Sequence, residues 1–380
     1  MSTISDYALG FYDGPHATPK ESEHGPIFLG IKNVTPDGRL DFSTIRHVSP
    51  EEFPRWTKRV TPTKGDIVFS YEATLHRYAL IPEGFIGCLG RRMALIRPDP
   101  EKVDSRFLHY YMMSSAWRKE GGALNRDKET VDRIPLTKVP DFKVTFPDLT
   151  EQVRVASLLS AYDDLIENNW RRIALLEEVA RLLYREWFVH FRFPGAEHAK
   201  IFDGVPEGWA RMPLGDVSTI RKGKNITKNT VKPGSVPVVA GGLSPAYFHD
   251  TANTKSPTIT VSASGANAGF VNLYFQDIWA SDCSFLDSNA NIDIFYLYLL
   301  LKGNQAEISS MQKGAAQPHV YPKDLMRLEI AFPPEAIRAD FMEYVSPQFE
   351  MVKTLKNQIK ASEIARDLLL PRLMDGRLEI

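Results

Sequence analysis

Residues 149–193 read LTEQVRVASLLSAYDDLIENNWRRIALLEEVARLLYREWFVHFRF, and this stretch decides the architecture. It contains no proline or glycine. Apolar residues recur at seven-residue steps: Leu159, Ile166, Ile173, Ala180 and Trp187 form one row. Val155, Tyr162, Leu176 and Leu183 form a second row, broken only by Asn169. A strict repeat of seven keeps one narrow apolar seam along a helix, which is the pattern of a coiled-coil face. The spacing predicts one long helix over residues 148–190.

A second seam lies near the C-terminus. Val345, Val352 and Ile359 form one row, and Phe341, Leu355 and Leu369 the other, with Gln348 and Ser362 interrupting. A helix over 334–374 is expected, with Pro347 as a kink or a delayed start and Pro371 as its stop. Two seams in one chain can bury each other. The expected pairing is an intramolecular antiparallel coiled coil through Leu159, Ile166, Ile173, Leu176, Leu183, Val345, Val352, Leu355 and Ile359.

Outward from the helices, the chain reads as a duplication. Phe146-Pro147 returns as Phe332-Pro333, Glu178-Val179-Ala180-Arg181 as Glu363-Ile364-Ala365-Arg366, and Phe107–Tyr111 as Phe295–Leu299, all at nearly one offset. Residues 1–145 and 196–331 are mixed, with strand-like runs such as Gly65–Ser70 and Thr258–Ser262 between glycine and proline turns. The fold class expected is α+β, with two pseudo-repeated mixed α/β domains, 1–145 and 196–331. Two long helical segments, 146–195 and 332–380, separate them.

Composition narrows the function classes. The chain has 380 residues, 43% hydrophobic and 24% charged, so it can build ordinary cores. Cys88 and Cys283 are far apart, match no metal-ligand spacing and read as reduced thiols. The N-terminus MSTISDYALG has no signal-peptide pattern, and no apolar run approaches the ~20 residues of a bilayer span. A cytoplasmic location is expected. There is no GxGxxG, GxxxxGK[ST], HExxH, CxxC or [ND]PP[YF] motif, so nothing in the sequence points to catalysis or to a bound metal.

The net charge of −1 hides local basic clusters. Arg221, Lys222, Lys224, Lys228 and Lys232 have no acid among them, and Asn225 and Asn229 are interleaved. Lysine and arginine neutralise phosphates, and asparagine can pair with adenine. The first domain offers Lys58, Arg59, Arg77, Arg91, Arg92, Asn125, Arg126 and Lys128, and the second domain ends with Gln317 and His319. All are candidate DNA contacts, although each could equally be a solvated loop.

A family resemblance rests on four stretches. Phe146–Gln152, Asp163–Asn169 and Ala180–Phe188, with Phe191-Arg192-Phe193-Pro194-Gly195, resemble the central region of type I restriction–modification specificity subunits. Ala365–Gly376 resembles their distal region. Gly208-Trp209 with Pro213-Leu214-Gly215-Asp216-Val217 resembles the opening of a target-recognition domain, an opening not clear in the first domain. The resemblance implies a non-catalytic subunit that binds double-stranded DNA. Each mixed domain would read one half of a bipartite, asymmetric site, and the helices would set the spacer. Two methyltransferase subunits and the restriction–translocase subunits would be partners, with S-adenosylmethionine, ATP and magnesium bound on them. A fused enzyme and a coiled-coil scaffold that binds no DNA are the other readings.

Overall fold

The computed structural model describes residues 2–124, 132–290, 292–314 and 317–378. They form two compact units, residues 1–167 with 359–380 and residues 168–358. The first long helix spans Leu149–Tyr184 and the second spans Glu335–Met374.

Each unit holds the same sheet plan. In the first, a four-stranded antiparallel sheet runs in the order Ala8–Asp13, Met93–Pro98, Ile67–Ser70, Tyr78–Leu80. In the second, the order is Arg221–Lys222, Cys283–Leu286, Thr258–Ser262, Val271–Tyr274. A three-stranded sheet accompanies each. Ser22–Leu29 lies between Arg46–His47 and the parallel strand Gly87–Leu89. Val236–Val239 lies between Tyr247–His249 and the parallel strand Trp279–Ala280. The repeated helices Ser105–Met113 and Ile294–Gly303 are each capped by an aspartate, Asp104 and Asp293, whose carboxylates accept first-turn amides. Both helices bury nearly all their apolar residues in the cores.

The first domain does have an opening. Ser2–Thr3 pairs with Lys143–Val144 as Ala210–Pro213 pairs with Glu329–Phe332. Ile4 and Leu214 then enter their cores fully buried. The Ile4 amide donates to the Phe142 carbonyl at 2.9 Å, and the Leu214 amide to Leu328 at 2.8 Å. Thr3-Ile4-Ser5-Asp6-Tyr7 thus stands where Pro213-Leu214-Gly215-Asp216-Val217 stands, without the tryptophan.

The helix seams are buried in both units. Leu159, Ile166, Ile173, Val345, Val352, Leu355 and Ile359 are each at most 3% exposed, while Leu176 and Leu183 are half-buried. In the first unit, Asp163 accepts from Arg366 at 2.6 Å, and Val155 and Leu159 share a core with Leu373 and Met374. In the second, buried Asn169 donates to Gln358 at 3.3 Å, and Trp187 packs on Phe341 with ring centroids 5.5 Å apart. As the residue number rises on one helix it falls on the other, so the pairing is antiparallel. The first helix ends in a wider π turn, Arg185–Val189, which turns the adjacent Trp187 and Phe188 both inward.

Two prolines behave differently from expectation. The second helix runs through Pro347 and past Pro371 to Met374, and Gly376 just beyond it lies in the left-handed region with φ 65°. Pro347 is exposed, and Asp367, whose carbonyl Pro371 leaves without an amide, is exposed too. Both prolines sit on a helix whose seam residues on either side, Val345 and Val352, Ile359 and Leu373, are buried, and that packing carries the helix through them.

Replacing Leu159 with alanine should lower the unfolding free energy of the first unit by about 2–5 kcal/mol in urea denaturation, through transfer and cavity costs. Leu165→Ala, on the same helix but 43% exposed, should change it by no more than about 0.5 kcal/mol.

Candidate nucleic-acid interface

The basic loop of the second unit is a fixed backbone carrying exposed side chains. It leaves the edge strand Arg221–Lys222, where Gly223 donates its amide to the Cys283 carbonyl at 2.8 Å. A Cβ on Gly223 would lie 2.2 Å from the Ser281 carbonyl oxygen, so only glycine permits this approach. Lys224 donates its amide to Ala280 at 2.9 Å, and its carbonyl accepts from the Trp279 indole at 2.8 Å. Ile226 donates to the Ser281 hydroxyl at 3.2 Å. Thr227 and Thr230 close a turn, and the Lys232 amide donates to His249 Nδ1 at 3.0 Å. Backbone groups are therefore spent on the scaffold. Lys222, Lys224, Asn225, Lys228, Asn229 and Lys232 all remain exposed.

Arg221 differs from its neighbours. It pairs with the buried Asp287 at 2.6 Å and lies 4.5 Å from the centroid of the Phe285 ring. Burial alone would raise the Asp287 carboxyl. The Asn289 and Lys255 amides and the Arg221 guanidinium outweigh it and hold the group below the usual carboxylate range. Because the folded value is depressed, this anchor is fully stabilising above the ordinary carboxylate pKa and weakens as pH falls through the lower folded value. Arg221 thus anchors the root of the loop, with its side chain still 46% exposed.

In the first unit the expected residues divide in the same way. Lys58 and Arg91 are exposed. Arg59 is paired with Asp13, and Arg92 donates to Glu72 at 2.8 Å. Arg77 is half-buried, with its amide on the Ser70 hydroxyl at 3.3 Å. Arg91 and Arg92 line one groove with Lys32, Arg46 and buried Asn33. Lys32 and Arg46 were not expected; they are isolated in sequence and join the arginines only through the Ser22–Leu29 strand pairings. Asn125, Arg126 and Lys128 lie outside the described residues.

Gln317 is exposed, and His319 stacks on Tyr321 with centroids 5.8 Å apart. His319 bridges to Ser264 and to Lys313, while Lys313 pairs with Asp324 at 2.6 Å. The two cysteines are buried and unbonded, and burial pushes both thiols up to about 12, which keeps them protonated and unreactive.

The Type I restriction modification DNA specificity domain matches this chain twice, over residues 31–178 and 206–365. The chain belongs to that family. It is 25% identical to the MjaIX type I restriction enzyme specificity subunit of Methanocaldococcus jannaschii, over 99% of this chain and 89% of the relative. It is 22% identical to the HindI specificity subunit of Haemophilus influenzae, over 83% of this chain and 87% of that one. A solved type I restriction–modification S subunit from M. genitalium shares the fold, with a TM-score of 0.57 and 16% identity over 98% of this chain and 95% of that chain. The family places two DNA specificity domains in this chain, one on each repeat of the sheet plan, joined to long paired helices. Among the described residues, no helix is long and apolar enough to cross a membrane.

If the loop of the second unit meets phosphate, Lys222→Ala and Lys224→Ala should each lower the slope of log affinity against log salt by about one, with little dependence on sequence. An unchanged slope in a fluorescence titration of a labelled duplex would remove the loop from the interface.

Proposed function

We propose that this chain selects DNA for a type I restriction–modification complex and leaves methylation and cleavage to its partners. Each specificity domain reads one half of a bipartite site. The two readers share a backbone plan but not side chains, so the half-sites differ and the whole site is asymmetric. That pairing of one scaffold with two unlike side-chain sets is the observation on which the reading rests. S-adenosylmethionine, ATP and magnesium belong to the partner subunits in this proposal.

The outer faces of the helices support a partner role. In the second unit Leu175, Val179 and Leu182 follow one another at steps of four and three and are all exposed. In the first unit Ile364 and Leu368 are exposed at a step of four. Val179 and Ile364 are repeat equivalents within Glu178–Arg181 and Glu363–Arg366. Exposed apolar stripes of this kind mark protein contacts, and a stripe present once per repeat suits two copies of one methyltransferase subunit.

Co-expression with its methyltransferase should give a complex with two methyltransferase copies per chain, read by native mass spectrometry. Val179→Asp should leave one copy bound, and Val179→Asp with Ile364→Asp none, while both variants stay folded by circular dichroism. Retention of both copies in the double variant would place docking elsewhere.

A further inference from the structure

Each unit contains the same backbone corner, beside the central strand of its four-stranded sheet. In the first, the Ala73 amide donates to Asp132 at 2.9 Å, Ile134 donates to Tyr71 at 2.8 Å, and Tyr71 donates to Arg92 at 3.2 Å. In the second, Gly265 donates to Pro318 at 3.1 Å, Val320 to Ala263 at 3.0 Å, and Ala263 to Asp282 at 3.1 Å. The isolated bridges Glu72–Arg133 and Ser264–His319 sit at the centre of each. Even the left-handed residue is kept, at Ala73 with φ 71° and Gly265 with φ 78°. An alanine carries strain there that a glycine does not.

The side chains on this shared corner are different. The first unit places Glu72 between Arg92, at 2.8 Å, and Arg133, at 3.9 Å. The second places Ser264, whose hydroxyl bonds Asp282, beside His319. The second corner closes with the same backbone bonds and without the Glu72–arginine ion pairs. Those charges are therefore not what shapes the corner. In the first unit the connection from Gly90 to Met93 is one residue longer than that from Ser281 to Cys283; the residue without a counterpart is exposed Arg91, and Arg92, in the left-handed region with φ 70°, stands where Asp282 stands. Arg92 thus keeps the shared backbone bond from Tyr71 in a strained conformation while its side chain, 36% exposed, reaches Glu72.

From this we infer that the corner is the base-reading element of each domain, formed by Glu72, Arg92 and Arg133 in the first and by Ser264, Asp282 and His319 in the second. The inference rests on the DNA-selecting function proposed above and names its reader. The first corner is rich in donors, two guanidinium forks around one carboxylate, and suits the acceptor edge of guanine. The second is rich in acceptors, a carboxylate and a hydroxyl beside an imidazole, and suits an exocyclic amino group on adenine or cytosine. Both corners stand next to phosphate-facing candidates. Lys222-Gly223 adjoins Asp282 through Gly223 and Cys283, and exposed Arg91 adjoins Arg92. Phosphate contacts fix register and base contacts specify, so this arrangement places the two functions side by side.

The test uses the assembled specificity–methyltransferase complex and a panel of duplexes carrying every single-base change of its methylated site. Arg133→Gln should lose discrimination roughly tenfold or more at one or two positions of one half-site, and His319→Gln at positions of the other, with salt slopes unchanged. Arg133→Lys keeps the charge beside Glu72 but loses the fork, so it should show the same loss even if Arg133→Gln folds poorly. Discrimination unchanged at every position in Arg133→Lys and His319→Gln would overturn the proposal. Lys222→Ala, measured alongside, tells which reading has failed. If its salt slope still falls, the chain binds DNA and only the reader is misplaced; if it too is unchanged, the interface itself is wrong.

Discussion

Neither long helix can bury its seam alone, and the rest of the molecule follows from that constraint. Each seam is narrow, with one apolar row every three or four residues, so a second narrow seam is the partner that fits it. The antiparallel pairing brings the end of the chain back to its beginning. Leu373 and Met374 complete the core that holds Val155, Leu159 and the first-domain helix Ser105–Met113. The first domain is therefore finished by residues more than two hundred positions away. Asn169, fully buried in the seam opposite Gln358, costs stability relative to an apolar residue, and a polar pair at one level disfavours slipped registers.

On this frame the two domains divide structure from specificity. Backbone bonds, sheet order, aspartate caps and the buried Ile4 and Leu214 are repeated. The side chains around the shared corner and the composition of the basic loops are not. Duplication with divergence gives two readers that can change independently of the helices that join them.

Much of this was legible in the sequence because it depends on local periodicity. The heptad rows located both helices, and the near-constant offset revealed the repeat, although the caps Asp104 and Asp293 put Phe107 level with Tyr296, one residue past the Phe295 of the sequence match. The strand Thr258–Ser262 followed from its β-branched run, and the run Gly65–Ser70 held the strand Ile67–Ser70. What was not legible depends on distant pairing. Arg221, Arg59 and Arg92 looked like free cations, but each is held by an acid 20 to 66 positions away, Asp287, Asp13 and Glu72. The opening of the first domain was hidden because Ser2–Thr3 makes sense as a strand only beside Lys143–Val144. Pro371 read as a helix stop because the burial of Leu373 and Met374, which carries the helix past it, is a tertiary fact.

The most direct measurement is long-read sequencing of adenine methylation in cells with and without this gene. The account predicts a bipartite motif with two unlike halves that disappears when the gene is removed. A palindromic or uninterrupted motif that depends on this gene, or a bipartite one that persists without it, would contradict the central claim that two unlike readers on one repeated scaffold choose the site.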